Sequence, residues 1–152
     1  MIQREYGGYL PLELPEIREH YYQSCKNYNV INLNSGRSSF YYAIKAGNIK
    51  KIYIPYLSCP KTSNPFLINN VDINYYYLDE NLIPIDLELG ENEFLLWTNY
   101  YGNANLSEVN FIVNKFKNLI IDNCNAFFFP PINGVYNCYS ARKFFGVSDG
   151  GY

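Results

Sequence analysis

Short apolar runs alternate with helical patterns along most of this chain of 152 residues. The apolar runs predict strands over 30–33, 51–55, 73–78, 93–98, 119–122 and 135–139. Helices are predicted over 38–46, 60–68 and 106–117, and Ser107 is the predicted cap of the third. Strands that alternate with helices in this way predict an α/β domain with a mainly parallel sheet that carries helices on both faces.

Residues 1–29 differ in character from the rest of the chain. They are polar and aromatic without a clear period, Pro11 and Pro15 interrupt their start, and a helix is predicted over 16–28. The single histidine, His20, lies in this helix and is interpreted as a surface or capping residue rather than a catalytic one. The sequence therefore predicts an N-terminal segment, 1–29, followed by one domain, 30–152.

The charge balance and the composition exclude several classes of protein. Lysine and arginine total 12 against 14 for aspartate and glutamate, so the net charge of −2 offers no basic excess for a nucleic acid. Apolar residues make up 48% and charged residues 17%, which excludes a disordered chain. No apolar run reaches the ~20 residues of a membrane helix. We therefore expect neither a nucleic-acid partner nor a membrane partner.

The four cysteines are scattered and form no CxxC pair. With one histidine and no ligand spacing, they do not predict a metal site. Because the start of the sequence shows no signal peptide, we interpret them as reduced, half-buried thiols of a cytoplasmic protein. They are Cys25, Cys59, Cys124 and Cys138.

A turn of small residues precedes the first predicted helix. Ser35, Gly36 and Arg37 stand between a predicted strand and this helix, and ligands of open α/β sheets bind beyond the carboxyl ends of strands. Such a turn exposes backbone N–H groups and the positive end of the helix dipole, which together attract phosphate. The alternative is an ordinary helix N-cap with a tight turn.

A carboxylate, Asp122, directly follows a run of aliphatic residues. Its place at the edge of the predicted core makes desolvation costly unless a partner is present, and a cationic partner would keep it ionised. The alternative is an aspartate that caps the N-terminus of a helix.

Lys143 follows the last predicted strand and precedes an aromatic pair and several glycines. A lysine in an apolar pocket loses proton affinity and becomes a nucleophilic amine. The alternative is a surface loop with two basic residues.

The order and spacing of these residues resemble the N-terminal part of the DegT/StrS-type sugar aminotransferases, which are pyridoxal-phosphate (PLP) enzymes of fold type I. In that family a turn of the Ser-Gly-Thr type cradles the cofactor phosphate, and Ser35, Gly36 and Arg37 take its place, with Arg37 where threonine is usual. Asp122 resembles the aspartate that pairs with the pyridine nitrogen. Lys143, with a Gly-Gly pair seven and eight residues later, resembles the lysine that binds the cofactor covalently.

Other residues match further motifs of the family. Asn125 stands where Gln or His is usual in the aspartate motif, and Ser140 resembles a serine that contacts the phosphate. The usual ring-stacking position carries Cys59, so Tyr56 is the residue that we expect to stack on the cofactor ring. The segment 99–102 resembles the family's His-x-Tyr-Gly motif.

The resemblance implies an incomplete large domain of a fold type I aminotransferase, without the small C-terminal domain. It implies a homodimer that uses PLP to transfer an amino group from a small-molecule donor to a nucleotide-linked keto-sugar, in surface polysaccharide biosynthesis. Related dehydratases carry histidine where Lys143 stands, which favours transamination. Because family members are much longer, we expect a chain that is truncated after this lysine and inactive alone. The alternative is a non-catalytic remnant or a partner-binding α/β module.

Overall fold

A computed structural model of the chain describes residues 21–25 and 27–152, without the side chains of Gln23 and Ser24. Contacts between residues divide the chain into two units, 1–30 and 31–152. In the first unit, the described residues contain one short 3-10 helix, Tyr21–Ser24. His20 and part of the helix predicted over 16–28 lie outside the described residues.

Five parallel strands form the sheet of the second unit. They are β1 (Lys51–Pro55), β2 (Asp72–Tyr76), β3 (Phe94–Thr98), β4 (Leu119–Asn123) and β5 (Tyr136–Tyr139). Their order across the sheet is β2-β1-β3-β4-β5, and each neighbouring pair is parallel. The order reverses between β1 and β3, because β2 lies on one side of β1 and all later strands lie on the other.

The strand predicted over 30–33 does not form. Leu33 makes one antiparallel bridge, to Gly151. Its nitrogen donates to the Gly151 oxygen over 2.8 Å, and the Gly151 nitrogen donates to the Leu33 oxygen over 2.7 Å. The apolar composition favoured a strand, but strand formation depends on the partner, and the partner here is a glycine segment. The five other predicted strands are confirmed, with ends shifted by up to two residues.

Three helices accompany the sheet: α1 (Gly36–Ala46), α2 (Asn64–Ile68) and α3 (Leu106–Lys115). Helix α2 is shorter than the predicted 60–68. Pro65 lies in its first turn, the one part of a helix that tolerates a residue without a backbone N–H. The helix therefore begins only one residue before this proline.

Helix α3 begins with a capping box. The Asn105 side chain accepts a hydrogen bond from the Glu108 nitrogen over 3.0 Å, and the Asn105 nitrogen donates to Glu108 Oε2 over 3.0 Å. These reciprocal bonds satisfy two backbone donors at the start of the helix. The predicted cap was wrong: Ser107 lies inside the first turn, and its hydroxyl donates to Asn105 Oδ1.

Helices cover both faces of the sheet, as predicted. Residues of α1 and α2 pack on one face and residues of α3 pack on the other. Successive side chains of a strand point to opposite faces, so Leu96 of β3 joins the first cluster, whereas Leu95 and Trp97 join the second. The sheet is thus a buried middle layer, and its strand ends are held by apolar packing on both sides.

Candidate functional site

A cavity of about 210 Å³ opens at the carboxyl end of the sheet. Residues at or beyond the ends of β1, β3, β4 and β5 line it, where the strand order reverses. The lining residues are Leu57, Ser58, Cys59, Thr62, Thr98, Tyr100, Tyr101, Asp122, Asn125 and Lys143. Open α/β sheets bind ligands at such reversals, and three of the predicted site residues, Asp122, Asn125 and Lys143, meet there.

Asp122 belongs to β4 and is buried, with 7% of the residue exposed. Its Oδ1 accepts a hydrogen bond from the backbone nitrogen of Cys124 over 2.9 Å. Burial raises the pKa of the Asp122 carboxyl, although hydrogen bonds from Cys124 and the charge of Lys143 oppose that rise. Because β4 continues to Asn123 and a turn follows, the helix-cap alternative does not describe this carboxylate.

Lys143 lies in a short 3-10 turn, Ala141–Lys143, just beyond β5. The residue is exposed, which agrees with the surface-loop alternative rather than with an apolar pocket. Its Nζ instead donates a hydrogen bond to Asn125 Oδ1 over 2.8 Å. A cation oriented by an amide therefore lines the same cavity as the buried carboxylate of Asp122.

The predicted phosphate turn forms the start of α1. Ser35 is the N-cap, and its Oγ accepts a hydrogen bond from the Ser38 nitrogen over 3.3 Å. The first turn of α1 contains no acidic residue, and Arg37 lies there with its side chain exposed. None of Ser35, Gly36 and Arg37 lines the cavity. The ordinary N-cap is therefore present, and the positive end of the helix dipole has no carboxylate from its own first turn.

Gly36 connects this turn to the chain around Asp122. The residue is buried, and a Cβ placed on it would lie 2.3 Å from the Cys124 sulfur and 3.4 Å from Ser140 Cβ. The start of α1 therefore packs directly on the turn that follows β4. It also packs beside Ser140, the serine for which the resemblance implies a phosphate contact.

The glycine pair at 150–151 closes the same region. The Gly150 nitrogen donates to the Asn34 oxygen over 2.9 Å, and the Ala141 nitrogen donates to the Gly150 oxygen over 3.0 Å. A Cβ at Gly151 would lie 2.4 Å from the carbonyl atoms of Ser35, so only glycine fits against the turn. The pair thus ties the residues before α1 to the residues after β5.

Tyr56, the residue expected to stack on the cofactor ring, does not line the cavity. It is exposed and stacks on Tyr75 and Tyr77, with ring centroids 5.1 Å and 4.6 Å away. The aromatic side chains that line the cavity are Tyr100 and Tyr101. Burial raises the pKa of Tyr100 to about 12. The role of Tyr56 stays a prediction.

Sequence reasoning assigned no role to several residues that shape the site. Cys124 contacts both Asp122 and the start of α1, and Thr98 lines the cavity from the end of β3. Asn99 and Asn123 are fully buried, and Asn99 Nδ2 donates to Asn123 Oδ1 over 3.1 Å, which ties the ends of β3 and β4 together. A sequence signal exists for both asparagines: Asn99 directly follows β3 and opens the segment 99–102 that resembles a family motif, and Asn123 directly follows Asp122 at the end of β4.

Within residues 21–25 and 27–152, no group of three or more His, Cys, Asp and Glu side chains is placed to hold a metal ion. Within the same residues, no helix has the length and apolar character needed to cross a bilayer.

No family model and no curated protein sequence matches this chain. Solved structures match it. The sugar aminotransferase CalS13 from Micromonospora echinospora has a TM-score of 0.62 at 15% identity, over 80% of this chain and 40% of that chain. NtdA from Bacillus subtilis with bound cofactor PMP has a TM-score of 0.60 at 17% identity, over 80% and 32%. GDP-4-keto-6-deoxy-D-mannose-3-dehydratase from E. coli with bound hydrated PLP has a TM-score of 0.59 at 20% identity, over 80% and 38%.

At these identities the likeness concerns the fold. The chain shares the α/β fold of these sugar aminotransferases and PLP-dependent sugar enzymes, which confirms the resemblance at the level of the fold. It spans 40% of the length of CalS13 and smaller shares of the other two proteins.

Proposed function

We propose that residues 30–152 form the cofactor-binding part of a PLP-dependent aminotransferase that acts on a nucleotide-linked keto-sugar. The observation that carries this proposal is the meeting of Asp122, Asn125 and Lys143 at one cavity, where the strand order of the sheet reverses. Neighbours of the same fold that hold PMP or PLP support the choice of cofactor.

The side chains at the cavity have the chemistry that this cofactor requires. Asp122 is a buried carboxylate that would accept a charge-assisted hydrogen bond from a protonated ring nitrogen, worth about 1.5–3 kcal/mol. Lys143 brings a primary amine to the cavity for covalent attachment. The first turn of α1 offers a phosphate backbone N–H groups without a competing acid.

The proposed phosphate site consists of Ser35, Gly36, Arg37 and Ser140. Gly36 packs beside Ser140, so two segments distant in sequence meet at the start of α1. The Ser35 hydroxyl already caps the helix, and the exposed Arg37 adds a positive charge in the same turn. A phosphate there would gain both the dipole and this charge.

Bound PLP supplies an electron sink for the carbon that loses a proton. Lys143 would accept and return that proton at Nζ, and Asn125 Oδ1 orients the amine from 2.8 Å. Asp122 would keep the ring nitrogen protonated. Since a histidine stands in place of this lysine in dehydratases of the resembled family, we propose amino transfer rather than dehydration.

The proposal also covers the oligomeric state, the cellular location and the domain boundary. We propose a homodimer that lies in the cytoplasm and serves surface polysaccharide biosynthesis. The cofactor-binding domain is proposed to begin at residue 30. Exposed apolar side chains next to Lys143 support the dimer: Phe144 and Phe145 are 38% and 42% exposed and make edge-to-face contacts with Phe128. Light scattering that gives twice the monomer mass would support it, and a monomer at all concentrations would contradict it.

Covalent attachment of PLP to Lys143 is the direct test of the function. The purified chain is mixed with PLP, reduced with borohydride and digested, and the peptide that carries the added mass is identified. We expect the label on Lys143, accompanied by a new visible absorbance band before reduction. Lys143→Ala should lose both signals, and the matched control Lys117→Ala, which removes an exposed lysine that does not line the cavity, should keep them.

The outcomes of this experiment separate the two functions under consideration. Label on Lys143 that depends on this residue supports the aminotransferase-type site. No band and no label in the wild-type chain overturns the proposal and favours the non-catalytic, partner-binding alternative. Turnover of an amino donor with a nucleotide-linked keto-sugar is then measured on the chain that carries the label.

A further inference from the structure

The thiol of Cys124 lies between Asp122 and the first residue of α1. Cys124 is 7% exposed, and its backbone nitrogen donates to Asp122 Oδ1 over 2.9 Å. The side chain of Cys124 also lowers the pKa of the Asp122 carboxyl and so favours its ionised form. Cys124 thus acts on Asp122 through both its backbone nitrogen and its side chain.

The same sulfur fills the space beside Gly36. A Cβ at Gly36 would lie 2.3 Å from Cys124 Sγ, whereas the next nearest atoms, Ser140 Cβ and the Tyr139 oxygen, would be 3.4 Å and 3.6 Å away. The sulfur alone therefore makes this position too tight for a side chain. The absence of a side chain at residue 36 lets α1 begin directly against Cys124.

We propose that Cys124 is a positioning residue that holds the Asp122 carboxylate and the N-terminus of α1 in a fixed arrangement. The inference rests on the proposed function in one respect: Asp122 and α1 are the groups that would hold the ring nitrogen and the phosphate of PLP. A rigid cofactor contacts both ends only if the two protein groups keep their separation, and a buried side chain that touches both keeps it.

A thiol suits this place because it stays neutral. Burial raises the pKa of Cys124 well above its ordinary value, and the nearby charge of Asp122 raises it further. The other titratable groups around Asp122 are Lys143, Cys138 and Tyr100. Burial also raises the pKa of Cys138 well above its ordinary value and that of Tyr100 to about 12. Asp122 is thus the carboxylate of a cluster whose thiols and phenol are neutral, with Lys143 as its cation.

The first test titrates the Asp122 carboxyl by carbon NMR in the protein without cofactor. Hydrogen bonds to a carboxylate lower its pKa, so Cys124→Ala should shift the Asp122 midpoint to higher pH. Cys124→Ser keeps a donor and should return most of the wild-type value. Cys138→Ala is the matched control, because it removes another buried thiol that donates no hydrogen bond to Asp122, and it should leave the midpoint unchanged.

The second test exchanges bulk between residues 36 and 124. Gly36→Ala alone should unfold at a lower urea concentration than the wild type, because its methyl group meets the sulfur at 2.3 Å. Cys124→Ala removes that sulfur, so the double variant Gly36→Ala/Cys124→Ala should unfold at a higher urea concentration than Gly36→Ala. Such non-additivity is expected of residues in contact.

The third test measures the dissociation constant of PLP by absorbance titration. Loss of the Cys124 thiol in Cys124→Ala should weaken PLP binding about fivefold, and Cys124→Ser, which keeps a polar hydrogen there, should bind within about twofold of wild type. Recovery by serine separates positioning of the carboxylate from simple loss of packing, because serine restores the donor and not the volume.

Failure of the inference and failure of the proposed function have different signatures. A wild-type chain that takes up no PLP overturns the function, and the Asp122 titration and the urea series still decide the role of Cys124. A Cys124→Ala protein with the wild-type Asp122 midpoint overturns the inference, whether or not PLP binds. A double variant that unfolds below Gly36→Ala overturns it as well.

Discussion

Helices α1 and α3 have first turns of opposite chemistry. The first turn of α3 contains Glu108, which forms a reciprocal capping box with Asn105. The first turn of α1 contains no acid, and it carries Gly36 and Arg37 instead. Both helices have a side-chain cap, so the difference lies in charge rather than in capping.

This difference is the basis for placing the proposed phosphate site at α1 and not at α3. Glu108 stabilises the positive end of α3 with a charge from its own sequence. The corresponding end of α1 has no such charge and is packed through a glycine on the turn that carries Cys124. The chain therefore supplies a carboxylate to the first turn of α3 and none to the first turn of α1, and in our proposal the phosphate of PLP takes that place at α1. Four substitutions test this comparison by changing the charges and caps of the two helix starts and the carboxylate of Asp122.

The largest effect is expected from Ser38→Glu. This change gives α1 a capping box of the Ser-x-x-Glu type, which corresponds to the Asn-x-x-Glu capping box of α3. A carboxylate at this position would repel a phosphate held at the helix start, so PLP affinity should fall about tenfold to a hundredfold. The free energy of unfolding without cofactor should rise by about 0.5–1 kcal/mol. Absorbance titration and urea unfolding measure the two effects.

Ser107→Glu in α3 is the matched control for Ser38→Glu, because it adds the same charge to the other helix start. Its PLP affinity should equal that of the wild type. If both variants bind PLP equally well, the phosphate does not bind at α1. The difference in charge between the first turns of α1 and α3 would then have no role in PLP binding.

The second effect concerns the carboxylate on the α1 side, Asp122. Its folded-state pKa is raised, chiefly by burial, so its contribution to stability is complete below the unfolded pKa and is lost as the pH rises through the folded pKa. Asp122→Asn should therefore be more stable than wild type at neutral pH without cofactor, by about 1–2 kcal/mol. Urea unfolding at acidic and at neutral pH should show this advantage only at the higher pH. Equal stability at both values would contradict the prediction.

The third effect removes the cap of α3. Asn105→Ala loses the acceptor for the Glu108 nitrogen, and loss of an N-cap costs about 1 kcal/mol in the free energy of unfolding. PLP affinity should not change, because the first turn of α3 does not line the cavity. A loss of PLP affinity as large as that of Ser38→Glu would mean that the two helix starts do not have separate roles.

The smallest effect is expected from Glu108→Gln. The amide oxygen still accepts from the Asn105 nitrogen, so the variant loses only the interaction of a negative charge with the helix dipole, about 0.3–0.5 kcal/mol. Urea unfolding at low and high salt tests this assignment. The difference from wild type should shrink at high salt, because salt screens the charge, and a difference independent of salt would assign the effect to the hydrogen bond.

The sequence predicts which strands and helices form the layers of this fold better than it predicts the residues at which they begin and end. Apolar runs such as 94–98 are visible because strands buried on both faces need continuous apolar residues. The start of α2 was predicted too early, although Pro65 marks the first turn of a helix. The cap of α3 was assigned to Ser107, although the Asn-x-x-Glu spacing at Asn105 signals a capping box. Both signals are local and were present in the sequence.

Only those site residues were predictable that stand out in the sequence by their charge. Asp122 and Lys143 stand out as charges beside apolar strands, and the structure brings them to one cavity. The roles of Cys124 and Gly36 depend on a contact between segments far apart in the chain, which no local pattern encodes. The surroundings of Tyr56 were equally hidden, because its stacking on Tyr75 and Tyr77 follows from the pairing of β1 with β2.

The bridge between Leu33 and Gly151 has a consequence for the kinetics of folding. The two residues come from opposite ends of the second unit's sequence, and their paired hydrogen bonds close its longest loop. Contacts between such distant residues carry a large entropy of loop closure and slow the folding of a chain. On the ribosome, the turn before α1 leaves the exit tunnel early, yet it acquires its last hydrogen bonds only when Gly151 has been synthesised.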